Sequence, residues 1–349
     1  MRRASTLILA AWTAACAGAR VPGLPPDATA PIPAAPLPGR LSGAALGWTL
    51  GGEAHVFVTD SDFAREVYNT QDPAAKTTPL PRALARRRIV VIDADTVPGH
   101  ARAAAPSAAM IASTDGAVPA LLRLVRVHRG EDCGAAGPVV ELVYAITPEA
   151  LPAAPPAHAV VLALLDAPPS GISRRTPPAA LSPADARRLI ARLARQAARL
   201  AVRASDAQPG EPLVPLPALD PDQETDAGEV IALARRGGET ILGVAFRIRF
   251  ARGADTTLVS GVALTDARGA SVRWLLAPVR GALQGGVVKS PGTRYVLRGS
   301  VARPGGGLPY LLVDQIADVA VSDARELALD PQGPALRAAL PLALRCRAS

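Results

Sequence analysis

The chain has 349 residues, 49% of them hydrophobic and only 3% aromatic. That is apolar mass for about two domains and excludes a disordered chain, but the cores must be filled by Ala, Val and Leu rather than by rings. The formal net charge is +8, carried almost wholly by arginine because lysine occurs only at Lys76 and Lys289. A basic balance favours anionic contacts, although in so arginine-rich a chain an Arg cluster marks no particular site.

The first residues, Met1-Arg2-Arg3, precede an apolar run from Ala4 to Trp12 and then small residues to Ala19. A positive start, a short apolar stretch and small residues are the parts of a secretory signal segment. The run is too short to span a membrane, which takes about 20 residues. Ala14-Ala15-Cys16 resembles the lipobox of bacterial lipoproteins, with Thr13 in place of the usual Leu. The resemblance implies that residues 1–16 are the signal segment and that Cys16 is lipidated and becomes the new N-terminus. With Ala17 next, it implies delivery to the periplasmic face of the outer membrane or the cell surface. The membrane, through that anchor, is then the first expected partner. Residues 17–41 follow as a Pro-rich tether, with seven prolines in 17–40, able to reach up to ~75 Å at ~3.1 Å per residue. With Cys16 modified, Cys133 and Cys346 remain as a pair in an oxidising compartment, and parity predicts a disulfide between them.

Residues 42–205 read as an α+β domain. Candidate strands lie near 44–50, 53–59, 88–94, 107–113, 118–128, 137–146 and 158–165, each rich in Val, Ile, Leu or Ala. Asp115-Gly116 is a hairpin turn, and a short helix is predicted at 61–68. The clearest element is a helix over 183–204 that ends the domain. Ser182 caps it, Pro183 suits its first turn and Asp185 completes a capping-box pattern. Leu189, Ile190, Leu193, Ala197 and Leu200 fall on one face, and Arg188, Arg192, Arg195, Arg199 and Arg203 on the other.

An acidic, Pro-rich linker at 206–227 separates this from an all-β domain at 228–322. There Val244, Phe246, Ile248 and Phe250 alternate with Arg247 and Arg249, and four later segments repeat the period of two. One buried face per strand is the implied pattern. A short helical piece is predicted at 279–285. The strand order resembles an OB-fold barrel, with a small antiparallel sandwich as the competing architecture. The tail, 323–349, carries a predicted helix around 334–346, interrupted by Pro341.

Arg88 to Val97, RIVVIDADTV, resembles the first motif of haloacid-dehalogenase-type phosphatases. The resemblance implies Asp93 as nucleophile and Asp95 as acid/base, both helping to hold magnesium. The companion groups are missing: the later lysine, Lys289, lies in the second domain, and no acidic pair closes a strand. His55, His100, His128 and His158 are scattered singly, and the loop from His128 to Cys133 lacks the paired spacing of a zinc site. No metal or other cofactor is therefore expected. Phe246, Phe250, Trp274 and Tyr295 fall on the inferred inner face, which leaves no stacking platform for nucleic acid. Arg247, Arg249, Arg273 and Arg298 fall on the inferred outer face. The expected function is an exported, lipid-anchored envelope protein with a non-enzymatic binding or structural role, its Arg face meeting an envelope protein or an anionic glycan. A periplasmic hydrolase using Asp93 and Asp95 is the alternative.

Overall fold

A computed structural model describes residues 43–59, 61–69, 79–97, 105–167, 171–174, 176, 178–204, 225–236, 239–252, 255–284, 287–290, 292–317, 324–333, 336–342, 344 and 346. Cys16, the Pro-rich tether and linker residues 206–224 lie outside them. The first part contains strands β1 (Ala44–Leu50) and β2 (Glu53–Val58), helices α1 (Ser61–Asn69) and α2 (Leu80–Arg87), strands β3 (Ile89–Asp93), β4 (Ala108–Ala112) and β5 (Gly116–His128). The one-turn helix α3 (Gly130–Cys133), strands β6 (Val139–Ile146), β7 (Val160–Leu164) and β8 (Ser173–Arg174), and helix α4 (Pro183–Ala204) complete it.

These strands match the apolar segments of the sequence closely, and their pairing is antiparallel throughout. β1 pairs with β2, β2 with β6, β6 with β5, β5 with β4, β4 with β7, and β7 returns to β1, which closes a six-stranded barrel. Barrel diameter grows with strand number, so a barrel of six strands is narrow and is filled by small and branched side chains. Ala45, Ala54, Val56, Ala109, Ile111, Ala120, Leu142 and Ala163 point inward, with Tyr144 as the one large ring and its hydroxyl donating to the Pro106 carbonyl at 3.1 Å. At Gly47 even a methyl would not fit: a Cβ there would stand 1.9 Å from the His55 carbonyl oxygen. Helices α1 and α2 add Phe63, Val67, Leu80 and Leu84 to the same core. This part is mostly β with few helices.

The second part is two further antiparallel sheets. Strands β9 (Thr225–Arg236), β10 (Glu239–Arg252), β11 (Asp255–Asp266), β12 (Val272–Gln284) and β13 (Val287–Ser290) form a five-stranded meander. Strands β14 (Thr293–Val301), β15 (Tyr310–Ala317), β16 (Arg325–Leu329) and β17 (Leu336–Pro341) form a four-stranded one. Their facing sides share one core, with Ala245, Leu264 and Leu275 from the first sheet against Leu297, Leu311 and Val313 from the second. Two stacked sheets replace the expected OB-like closure of this part. Both predicted helical pieces are strands here. Residues 279–284 pair with Asp255–Ser260 of β11. Residues 336–341 pair with β16 as an edge strand, where Pro341 forfeits no ladder bond at the sheet interior.

Helix α4 is the element whose place differs most. It does not cover the barrel. Leu189, Ile190, Leu193 and Ala197 pack on Leu242, Val244, Phe246 and Ile248 of β10, on the far side of the five-stranded sheet. Gly228 permits this approach, since a Cβ there would lie 2.5 Å from Ile190 Cδ1. The cap is as read from the sequence: the Asp185 amide donates to Ser182 Oγ at 3.2 Å, and the Ser182 hydroxyl to the Asp185 carboxylate at 2.6 Å. The layers therefore run helix α4, five-stranded sheet, four-stranded sheet, barrel. The last contact joins Val301, Tyr310, Leu312 and Ala328 to Leu46, Met110, Leu162 and Leu164 on the barrel's outer wall.

Candidate functional site

Three neighbouring barrel strands carry polar side chains on a face that ought to be apolar or wet. In β6, Val140, Leu142 and Tyr144 point into the barrel, so Glu141 points out. Its partners across the ladder are Phe57 of β2 and Arg126 of β5. His55 lies two residues before Phe57, and His128 two residues after Arg126, so period-two alternation puts all of them on the same outer face. The sequence spreads these residues over 87 positions; the β2–β6–β5 pairing gathers them.

The geometry centres on the Glu141 carboxylate. His55 Nδ1 donates to Oε1 at 2.6 Å, His128 Nε2 to Oε2 at 2.5 Å, and Arg126 Nη1 to Oε1 at 3.0 Å. His55, Glu141 and His128 are only 7%, 4% and 3% exposed. Glu53 continues the chain outward, with His55 Nε2 3.8 Å away and Arg123 paired to its other oxygen. Burial opposes the charge on Glu141, but the hydrogen bonds from His128 and His55, with the charges of His128 and Arg126, outweigh it and hold the carboxyl down at about 2. Glu141 is thus an ionised acceptor that fixes two imidazole rings. With Nε2–H given to Glu141, the neutral tautomer of His128 has its lone pair on Nδ1, a buried atom with no hydrogen-bond partner among the described residues.

Beside His128 the segment after β17 is tied to α3. The sulfurs of Cys133 and Cys346 are joined in a disulfide across 213 residues of sequence. Cys133 closes α3, whose C-cap Gly134 takes φ 72°, a left-handed conformation that favours glycine. Leu340, Leu344 and Cys346 pack with Phe57, Cys133 and Val139 on the barrel's outer wall. A ring nitrogen of His128 and the two sulfurs all lie within 4.8 Å of one another.

The other sequence-derived candidates fare differently. Asp93 ends β3, whose one partner among the described residues is β5, and Asp95 lies in the turn beyond it; both are exposed. The four arginines do not form one open face: Arg249 and Arg298 are exposed, whereas Arg247 is half-buried and Arg273 buried. Residues 243, 245, 247 and 249 share the side of β10 that looks toward the four-stranded sheet, where Gly243 abuts Leu311 and Ala245 joins the inter-sheet core. Arg247 is half-buried there, and Arg249 is exposed. Arg273 is buried and donates Nη1 to the Pro331 carbonyl at 2.7 Å. Arg298 is committed to buried Asp314, with Nε to Oδ2 at 2.6 Å. The reading of one buried face fails because this sheet is covered twice, by α4 on the Phe246 side and by a second sheet on the other. Among the described residues, exposed arginines cluster at Arg188, Arg192, Arg195 and Arg199 on α4 and at Arg82, Arg86, Arg87 and Arg88 on and just after α2.

The cluster of His55, Glu141 and His128 was not legible as a site in the sequence. Its one local signal is a glutamate in the middle of the apolar run Val139–Ile146. The chain matches no described protein family, and no curated protein and no solved structure is significantly similar to it. Among the described residues no helix is long and apolar enough to cross a membrane.

Proposed function

We propose that this is an exported envelope protein, anchored by a lipid on Cys16, with a non-enzymatic binding or structural role outside the cytoplasm. The observation that carries the reading is the Cys133–Cys346 disulfide, because such bonds form and persist in oxidising compartments. It accounts for two of the three cysteines and leaves Cys16, at the end of the apolar leader, as the odd one. The exposed arginines of α4 are the surface best suited to an anionic glycan or an acidic envelope partner. The hydrolase alternative has less support, since Asp93 and Asp95 stand exposed at a strand end without an orienting side chain among the described residues. Metabolic labelling with a fatty acid tests the anchor. The wild-type chain should carry label and partition with membranes, and Cys16→Ser should do neither. Equal release of both into the soluble fraction overturns the proposal.

A further inference from the structure

We propose that opening the Cys133–Cys346 disulfide converts this corner of the barrel into a binding site for zinc, with both thiolates and His128 Nδ1 as ligands and Glu141 as the carboxylate that orients His128. Four observations meet here. Two sulfurs and an imidazole nitrogen already lie within 4.8 Å of one another. A tetrahedral zinc with Zn–S about 2.3 Å and Zn–N about 2.0 Å needs donors roughly 3.5–3.8 Å apart, so small side-chain rotations suffice. His128 is 3% exposed, and its Nδ1 is a buried polar atom without a partner. Its other nitrogen is held by Glu141 at 2.5 Å, the arrangement in which a carboxylate fixes the tautomer of a metal-binding histidine.

Charge and covalency set the logic of the switch. Two thiolates neutralise a divalent cation, and Glu141 is already balanced by Arg126, so the loaded site adds no net charge to a buried position. The disulfide and the metal exclude each other, since sulfurs bonded together are not thiolates. A dithiol reductant supplies two electrons and two protons to the Cys133–Cys346 bond and is itself oxidised to a disulfide. Zinc then displaces the two thiol protons and forms two Zn–S bonds, while His128 donates its Nδ1 lone pair. Three protein ligands leave a fourth position for water or an outside donor. Either state ties the C-terminal strand to the barrel, by a covalent bond when oxidised and by a metal when reduced. Cys346 lies beyond the last ladder pair of β17 at Pro341 and Cys133 on a one-turn helix, so both can adjust without disturbing the ladder.

The test uses the whole chain, reduced with a trialkylphosphine (oxidised in turn with one water) and titrated anaerobically with Co²⁺ as a spectroscopic stand-in and with Zn²⁺ against a chromogenic chelator. Reduced wild type should take up one equivalent, show thiolate-to-cobalt charge transfer, and gain thermal stability on adding Zn²⁺; the oxidised protein should show none of these. His128→Gln and Glu141→Gln should each weaken zinc binding by about 10–100-fold, while Glu141→Gln keeps the charge-transfer band. Circular dichroism of the oxidised variants establishes that they fold. If His128→Gln does not fold, Cys346→Ser, which should abolish uptake, takes its place. Failure of the reduced wild type to bind one equivalent overturns the proposal. So does zinc binding in folded His128→Gln at wild-type strength, or in Cys346→Ser.

Discussion

Glu326 offers a direct test of how the four-stranded sheet handles buried charge. It lies opposite Asp314 in the β15–β16 ladder, and the two are 6% and 1% exposed. Like charges directly across a sheet repel. Arg298 takes the side of Asp314, and Glu326 Oε1 has no partner. Glu229 of β9 adds a further negative charge near Arg298. Burial, and then the charge of Asp314, push the Glu326 carboxyl from 4.5 up to about 7, against the smaller pull of Arg298. The folded protein therefore holds a proton that the unfolded chain releases between these two values. The associated stability is fully present below about pH 4.5 and is lost as pH rises to about 7, and the difference amounts to about 3 kcal/mol. Glu326→Gln keeps the shape and removes the titration. Urea denaturation followed by circular dichroism at about pH 4.5 and about pH 8 should show the variant close to wild type at the lower pH. At the higher pH it should be more stable by about 3 kcal/mol. An advantage of the same size at both values, or none at either, would refute the reasoning.

Glu141 carries the opposite sign. Its carboxyl is held down at about 2 from 4.5, so Glu141→Gln should cost about 3 kcal/mol at neutral pH, with the gap to wild type closing as pH falls from about 4.5 to about 2 in acid unfolding curves. Reduction or Cys133→Ser releases a loop of 213 residues and should lower stability by up to about 5 kcal/mol on the loop-entropy estimate, read as a shift in the urea midpoint. Gly47→Ala puts a methyl 1.9 Å from the His55 carbonyl and should cost about 3 kcal/mol, with a lowered melting temperature as the measure. Wild-type stability in that variant would mean that β1 and β2 are farther apart at this point.

Local signals were enough for most of the elements. Runs such as Val139–Ile146 and Val160–Leu164 are strands wherever they end up, because branched apolar side chains suit a pleated, buried ribbon. Ser182, Pro183 and Asp185 start α4 by contacts within its own first turn. The cysteine pairing followed from parity and compartment, without any geometry. Where local signals were weaker than a neighbour's demand, they lost: residues 279–284 are strand because β11 offers them a ladder, and 336–341 because β16 does.

Which surfaces meet was a different matter. Alternation in β10 distinguishes two faces, but it is silent on what covers each, and with a helix on one side and a sheet on the other, Arg247 is half-buried on the side expected to be open. Closure of the barrel likewise depends on which strand neighbours which, and the order β1-β2-β6-β5-β4-β7 is not the order of the chain. That order brings His55, Glu141 and His128 onto one wall, and the packing of the four-stranded sheet on the barrel sets Cys346 beside them. A strand's sequence determines its own period and polarity, because those are set within a few residues; the company it keeps is set by long-range burial, and the buried charged cluster exists only in that company.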